Sequence, residues 1–419
     1  MDLEDSPEEA RFRKSVRAFL DANATRRDES AEPARYYEVD EAKLGLARAW
    51  QRKKAAAGFA GIRWPKQWGG QGLSSIHEVI YQQEEARYAV PKGVFDIGLG
   101  MCIPTLLAYA DDAHLERYTK PALWGDEIWC QMFSEPNAGS DLAGLTTRAV
   151  RDGADWILDG QKTWTSGAQF SDFGIVLART DFGAPKHKGL TMFFIDMKAP
   201  GVEVRPIHQM SGASHFNEVF LSGVRVPDAQ RLGEVSDGWR VAVTTLMNER
   251  LAVGEEARPD IEDIHAFLTQ SDGGKAPPMA EQAVRFRFAD WYVASKGVEA
   301  FRNRGLTKLS RGEMPGPELS VARIVNAEKL QQMSRYAVEM MGAGGLLLDR
   351  DNPQANNPFQ LALLAAPGAR IAGGTSEILR NIIAERVLGL PADTRADKDV
   401  PFREIARGAG KSPRKGETV

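Results

Sequence analysis

Ser134-Glu135-Pro136-Asn137-Ala138-Gly139-Ser140-Asp141 ends a short apolar run and offers hydroxyls, small side chains and backbone N–H groups that a ligand can approach closely. Such a loop can cradle an anion or a flat polar ring; it can equally be an ordinary turn-rich connection. Further along, Gly160-Gln161-Lys162-Thr163-Trp164-Thr165-Ser166-Gly167-Ala168 sets Trp164 two residues before Ser166. On a strand both side chains would share one face, where a ring could stack while a hydroxyl hydrogen-bonds. Taken alone, a core tryptophan of a β domain accounts for the same residue. The third stretch, Arg370-Ile371-Ala372-Gly373-Gly374-Thr375-Ser376-Glu377-Ile378, precedes an amphipathic run ending Ala384-Glu385-Arg386-Val387-Leu388-Gly389. It reads as a helix N-terminus with N–H groups aimed at a ligand or its phosphates, where a simple N-cap after a glycine turn would need only one of the glycines.

Other chemistries are disfavoured. No GxGxxG follows a strand and no GxxxxGK[ST] is present, which speaks against Rossmann and P-loop nucleotide binding. The six histidines lack the HExxH spacing, and two cysteines, Cys102 and Cys130, cannot build a disulfide framework or a four-cysteine zinc site, so no metal is expected. A net charge of −4 gives no general reason to bind nucleic acid. The balance of 43% hydrophobic and 26% charged residues is that of a globular protein. No apolar run is long enough to span a membrane, and the opening MDLEDSPEEA is acidic where a targeting peptide would be basic. A cytoplasmic location is therefore expected.

The elements that must carry these stretches follow from periodicity. At 419 residues, two or three packed units are expected. Residues 6 to about 122 alternate helical apolar periods, such as Phe12, Val16, Phe19 and Leu20, with Gly/Pro punctuation. From about 128 to 226 the texture turns to short β-rich runs, including Trp156-Ile157-Leu158, Gly174-Ile175-Val176-Leu177-Ala178 and Thr191-Met192-Phe193-Phe194-Ile195. The helical period returns at 238–253, 279–310, 318–341 and 376–388, the pattern of a four-helix bundle. A loop excursion with a short helix at 261–268 falls between 254 and 278, and a charged, Gly/Lys-rich tail closes the chain. The expected division is a helical domain at 1–125, a β domain at 126–235, a helical bundle at 236–393 and a flexible tail at 394–419. The fold class is α+β, mostly α, with a β-barrel or sandwich in the middle.

The SEPNAGSDL run, the GQKTWTSGA run and the AGGTSEILRNIIAERVLGLP end, in that order and with this helical, β and helical texture around them, resemble the acyl-CoA dehydrogenase family. The resemblance covers nearly the whole chain, from about residue 6 to 391. It implies the acyl-CoA dehydrogenase fold, FAD as cofactor, and α,β-dehydrogenation of an acyl-CoA thioester. It implies that Met132, Ser134, Gly139 and Ser140 face the isoalloxazine or the thioester, and that Trp164 and Ser166 flank the ring, Ser166 near flavin N5. Thr375 and Glu377 would reach the cofactor, and Gly342 to Gly345 would approach the FAD of a neighbouring subunit. Arg285, in Arg285-Phe286-Arg287-Phe288-Ala289, would bind the FAD pyrophosphate of that neighbour, with Arg287 as the alternative.

Many members carry the catalytic glutamate immediately before the Gly-Thr pair of the third stretch, and here that position is Gly373. Others carry it in a Glu-Arg pair at the start of the bundle, which points to Glu249 in Met247-Asn248-Glu249-Arg250-Leu251. Helical spacing places Glu249 with Ala242, Thr245, Leu246, Ala252 and Val253, an apolar setting with no basic residue three or four positions away. Partial desolvation would raise its proton affinity, which suits a base that removes an α-proton. A structural carboxylate paired with a distant arginine is the other reading. By resemblance, Gly373 would still supply a backbone N–H to the thioester oxygen, Arg250 could contact the CoA moiety, and Ser140 the substrate.

The resemblance further implies an oligomer, a homodimer, homotetramer or mixed tetramer, with electron-transfer flavoprotein as electron acceptor and neither nucleic acid nor membrane as partner. The substrate class it suggests is branched, long or ring-bearing, sterol side chains included. Gly373 keeps open a non-catalytic subunit of a mixed oligomer, and an acyl-CoA oxidase shares the fold. A DNA-associated flavoprotein would want a basic extension that this chain lacks.

Overall fold

The computed structural model describes residues 5–27, 40–251, 259–271, 274, 276–313, 316–349, 357–392 and 397–405, with the backbone alone for 249–251. Helices and short strands α1 (Pro7–Asn23), β1 (Thr25–Arg26), α2 (Glu41–Ala56), α3 (Ser75–Glu85), β2 (Tyr88–Ala89), α4 (Ile103–Tyr109) and α5 (Asp112–Trp124) come first. Then come β3 (Trp129–Met132), β4 (Arg148–Asp152), β5 (Asp155–Ser166), β6 (Phe173–Arg179), β7 (Leu190–Asp196), β8 (Val202–Ile207), β9 (Phe216–Pro227) and β10 (Arg231–Leu232). The remaining helices are α6 (Gly238–Leu251), α7 (Ile261–Thr269), α8 (Gln282–Ser310), α9 (Leu319–Met340), α10 (Pro358–Ala369) and α11 (Ser376–Arg386). Contacts group the chain into two compact units that do not follow chain order. One holds Met1–Pro91, His208–Ser214 and Val253–Ala392; the other holds Lys92–Ile207, His215–Ala252 and Asp393–Val419.

In the helical unit, α1 starts at a reciprocal cap: Ser6 Oγ accepts from the Glu9 N–H while the Glu9 carboxylate accepts from the Ser6 N–H, with Pro7 in the first helical position. Its apolar stripe puts Val16 and Leu20 into a core with Trp50, Phe59, Ile62, Tyr81 and Tyr88. The two acids that end α3 are structural. Glu84 is paired with Arg13 at 2.9 Å and Arg17 at 2.8 Å, and Glu85 accepts from Trp50 Nε1 and the Tyr81 hydroxyl. Ser310, at the end of α8, donates to Glu9 at 2.7 Å and ties the N-terminal helices to the later ones. There α9 is the hub, flanked by α8, α10 and α11, over a core of Ile264, Leu268, Val284, Trp291, Met333, Ala337 and Phe359. Helix α10 has no counterpart among the helices read from the sequence. Its Phe-Gln-Leu-Ala-Leu-Leu-Ala-Ala run is apolar nearly all round and is followed by Pro367, so the period of 3.6 is faint; Asn357 and Pro358 start it.

The β unit is built on one eight-stranded mixed sheet, in the order β10-β7-β6-β4-β5-β9-β8, with β3 running parallel to β6. Strands β6 and β7 are the continuous apolar runs of the sequence, and both are buried along almost their whole length. Trp156, Leu158, Val176, Phe193, Val219 and Val224 share its core. Helix α6 lies on β6 and β7 and against α4. Its first residue is Gly238, where a Cβ would stand 2.6 Å from the Thr191 backbone, so only glycine lets the helix start this close to the sheet. Thr245 Oγ1 then lies 2.8 Å from Thr105 Oγ1, and Thr244 Oγ1 2.8 Å from the Tyr109 hydroxyl, which fixes the roll of α6. Of the tail expected at 394–419, residues 397–405 are docked on this unit, and the rest lies outside the described residues. No helix among the described residues is long and apolar enough to cross a membrane.

Candidate active site

The first two stretches form one construction. Lys162 of β5 is wholly buried, and its ammonium donates to Leu177 O at 2.7 Å, Phe133 O at 3.1 Å and Glu135 Oε1 at 3.0 Å. Glu135 in turn accepts from the Thr146 N–H at 2.7 Å, the Thr146 hydroxyl at 2.8 Å and the Thr147 N–H at 2.8 Å. The Thr163 N–H donates to Ser134 O, and paired bonds between Glu135 and Ala138 close the Pro136-Asn137 turn. Burial favours the protonated carboxyl of Glu135, but the Lys162 charge and the Thr donors outweigh it and bring its pKa down to about 2. Burial pulls Lys162 below its ordinary range, against the pull of Glu135. Sequence reading passed over both residues; the available signal was a lysine inside a strand whose neighbours are core residues.

On this frame Ser134 is half-buried, and Gly139 and Ser140 are exposed on the loop. Met132 has no accessible surface and packs in the β core, so its side chain supports the site from beneath rather than meeting a ligand. Trp164 is 56% exposed, which removes the core-tryptophan reading; Trp129 and Trp156 are the buried ones of this unit. It sits at a break in the β5–β9 register between Lys162 and Thr165 and has a left-handed φ of 58°. A non-glycine residue there costs on the order of 1–3 kcal/mol, offset by the surrounding bonds. Past the bulge the alternation resumes, with Thr165 buried and Ser166 half-buried, so the ring and the hydroxyl stand on the outer side as expected. Phe216 meets the Trp164 ring edge-on at 5.7 Å, and Asn217 Nδ2 donates to Thr165 O at 3.0 Å, fixing the strand end.

Glu249 and Arg250 fall in the last turn of α6, and their side chains lie outside the described residues. The preceding turns of α6 bury Val241, Ala242 and Thr245.

In the helical unit, Gly373 is left-handed, with φ of 62°, and the room a Cβ would need there is filled by the Arg323 guanidinium. Arg323 Nη2 donates to Ala372 O at 2.6 Å, so an arginine from α9 fills the space beside Gly373. Thr375 caps α11 by accepting from the Ile378 N–H at 3.2 Å, and the Ser376 N–H bonds to Arg370 O. Two of the N–H groups expected to await a ligand are thus satisfied within the chain. Glu377 is exposed, and its own N–H and the Thr375 hydroxyl hold its carboxyl below the ordinary range. Arg285 donates to Met279 O and Ala280 O just before its helix, while the Arg287 guanidinium lies over the Tyr336 ring. Gly342, with φ of 56°, is open to added atoms, whereas a Cβ at Gly345 would stand 2.5 Å from Val338 O, so the second glycine serves packing. Gln360, another residue sequence reading missed, donates to Gly345 O at 3.0 Å and Leu347 O at 2.8 Å and holds this turn.

Among the described residues no group of three or more His, Cys, Asp or Glu could hold a metal ion. The β unit suits a planar heteroaromatic group instead: an exposed indole, a hydroxyl beside it, and a small-residue loop bolted to the same strand by a buried ion pair.

Residues 6–126, 130–224 and 236–388 match the models of the N-terminal, middle and C-terminal domains of acyl-CoA dehydrogenases. The chain is 34% identical over 396 residues to the acyl-CoA dehydrogenase IpdE1 of Mycobacterium tuberculosis, covering 92% of this chain and 98% of that one. It is 39% identical over 340 residues to the acyl-CoA dehydrogenase FadE34 of the same organism, covering 80% of this chain but only 45% of that longer relative. Among solved structures, the Tcur3481-Tcur3483 steroid ACAD superposes with a TM-score of 0.74 at 28% identity, over 94% of this chain and 100% of that one. With three domain models matched in order and a relative of this identity aligned nearly end to end, the chain belongs to the acyl-CoA dehydrogenase family.

Proposed function

We propose that this chain binds FAD and removes hydrogen from the α and β carbons of an acyl-CoA thioester. The observation that carries the reading is Trp164, an exposed ring held in a left-handed bulge with Ser166 beside it, on a strand anchored by Lys162 and Glu135. FAD, when bound, supplies the hydride acceptor at N5 for the β-hydrogen. Trp164 covers the ring and Ser166 hydrogen-bonds it, while Ser134, Gly139 and Ser140 line the flavin and the thioester. Glu249 takes the α-proton; the residues at helical spacing from it in the sequence, Ala242, Thr245, Leu246, Ala252 and Val253, are mostly apolar, which raises the proton affinity of a carboxylate set among them. The Gly373 N–H donates to the thioester oxygen as charge develops there, and Arg250 contacts the CoA moiety. Thr375 and Glu377 reach the cofactor, and Arg285, Gly342 and Gly345 serve the FAD of a neighbouring subunit in a homodimer, homotetramer or mixed tetramer. Electron-transfer flavoprotein takes the electrons onward in the cytoplasm. A ring-bearing acyl group is favoured by the likeness to a steroid ACAD.

One observation favours a second reading. Arg323 fills the space beside Gly373 and position 373 offers no base, so without a working Glu249 the chain would be the non-catalytic member of a mixed oligomer. An oxidase is the remaining variant of the catalytic reading.

The test is anaerobic bleaching of the flavin band by straight, branched and steroid acyl-CoAs, in wild type and Glu249→Gln. Wild type should bleach, and the variant should retain FAD but react about 10²–10⁴-fold more slowly, the usual loss on removing a positioned base. Equal rates in the two proteins would dismiss Glu249; bound FAD that no acyl-CoA bleaches, alone or with a paralogous subunit, would dismiss the catalytic reading. Rapid reoxidation of the reduced protein by oxygen would mark an oxidase.

A further inference from the structure

The segment 397–405 returns to the β unit and closes on the loop that carries Ser140. Lys186 Nζ is bonded to both oxygens of Asp141, at 2.9 and 3.0 Å, and stands 2.6 Å from Asp397 Oδ2. The Phe402 N–H donates to Ala184 O at 2.9 Å, the Arg403 N–H donates to Phe182 O at 3.0 Å, and Pro401 pairs with Pro185 in a β-bridge. At the centre is Arg179, fully buried at the end of β6. It donates to Ala143 O at 2.6 Å, Leu145 O at 3.1 Å and Lys186 O at 3.1 Å. Phe402, itself buried, lays its ring over the same guanidinium, 3.5 Å from Cζ to the ring centroid.

One cation therefore joins three pieces of chain: the 141–145 turn, the 182–189 loop and the C-terminal segment. Bonds from a charged donor to carbonyls are strong where water is excluded, and the Phe402 ring supplies both that exclusion and a favourable face for the cation. Asp397 adds a second tie through Lys186 to Asp141, the residue that follows Ser140. Loss of the ring would let water compete for Arg179, and loss of Asp397 would leave Lys186 with Asp141 alone of these two acids.

We propose that residues 397–405 form a clasp that positions the 139–143 loop for the acyl-CoA, with Phe402 and Asp397 as positioning residues that touch neither substrate nor reacting atoms. This rests on the reading of Ser140 as a substrate contact.

The full-length FAD-loaded protein is compared with Phe402→Ala, Asp397→Asn, Phe402→Trp and a chain ending at Ala392, by hydrogen–deuterium exchange and by steady-state kinetics. Without substrate, peptides covering 137–145 and 182–189 should exchange faster in Phe402→Ala and the shortened chain, by on the order of tenfold, while β9 is unchanged. With an acyl-CoA that bleaches the wild type, KM should rise at least about threefold with kcat within about twofold, and Phe402→Trp should stay near wild type. Unchanged exchange at 137–145 overturns the clasp, and faster exchange with unchanged KM overturns its role in positioning. Faster exchange throughout β4–β9 with kcat lost as well would make the segment a general support of the fold and overturn the proposal too. If the wild type turns over no acyl-CoA, the functional reading fails by itself, and the exchange data alone decide the clasp.

Discussion

Glu135 belongs to the first stretch and Lys162 to the second, and the energetics of the pair follow from having been taken out of water together. Each is costly alone and tolerable as a pair with its remaining bonds made to carbonyls and N–H groups. Glu135→Gln leaves a buried ammonium facing a neutral amide and should destabilise the β unit by roughly 3–5 kcal/mol. The pH dependence follows from the carboxyl, brought from an ordinary 4.5 to about 2 in the folded chain. Its contribution is fully present above the ordinary value and is lost as pH falls from there towards about 2. Glu135→Gln should lack that acid limb. Its stability should instead climb on the alkaline side, because an unpaired Lys162 is held still further below its ordinary range and can shed its proton. Urea denaturation followed by tryptophan fluorescence across pH 3–10 tests this, in wild type, Glu135→Gln and Glu135→Gln/Lys162→Met. Parallel curves for the first two would show that the pair has no such part; partial recovery in the double variant would confirm that the stranded cation carries the cost.

Elements turn these side chains into a site, and those whose pattern is local were legible in the sequence. Strands β6 and β7 show as uninterrupted apolar runs, and α7, α8, α9 and α11 show by their helical period, because burial on one side imposes that period directly. Elements that depend on distant partners were not legible. The bulge at Trp164 depends on the register of β5 against β9, α10 is apolar nearly all round, and the docking of 397–405 needs Arg179 from a strand more than two hundred positions earlier. The site divides the same way: the three stretches stand out by composition, while Lys162, Arg179, Arg323 and Gln360 act through carbonyls or space that sequence does not display. Gln360 offers the cleanest test at this scale, since it accepts from the Asn357 N–H at 3.0 Å to help start α10 while donating to the 345–347 turn. Gln360→Ala should cost about 1–2 kcal/mol from a weakened cap and freed carbonyls. If the Gly342–Gly345 turn serves a neighbour's cofactor, the variant should also release FAD more readily on dilution, whereas Gln360→Glu, which keeps the cap and loses the donor, should release FAD with α10 intact. Thermal unfolding alongside flavin fluorescence separates the two effects; full FAD retention in both variants would detach the turn from the cofactor.

At the scale of the whole molecule, the helical unit carries several large apolar side chains on its surface. Leu346 is 81% and Leu347 75% exposed on the turn held by Gln360, Ile371 is 64% exposed just before Gly373, and Leu388 is 66% exposed after α11. Scattered leucines need no explanation, but Leu346 and Leu347 accompany the Gly342–Gly345 segment read as approaching the cofactor of a neighbouring subunit. Covering one such side chain removes apolar area worth roughly 1.5–3 kcal/mol, so two adjacent leucines weigh heavily in an association constant. A net charge of −4 over 419 residues adds little long-range repulsion at ordinary ionic strength. The purified protein should therefore be an oligomer. Leu346→Asp/Leu347→Asp should shift the light-scattering mass to a smaller species, with an unchanged far-UV circular dichroism spectrum, because both side chains stand outside the core of their own unit. The flavin content distinguishes the kinds of assembly. If each subunit completes its neighbour's cofactor site in a homo-oligomer, the double variant should lose FAD in step with its mass. If the wild type is small and flavin-poor alone, and gains both mass and FAD on co-expression with a paralogous subunit, the mixed assembly is the working form, and the surface around Leu346 is where the paralogue binds. A wild type that is monomeric and fully flavinated would set both aside, because a cofactor site complete within one chain leaves these leucines nothing to cover.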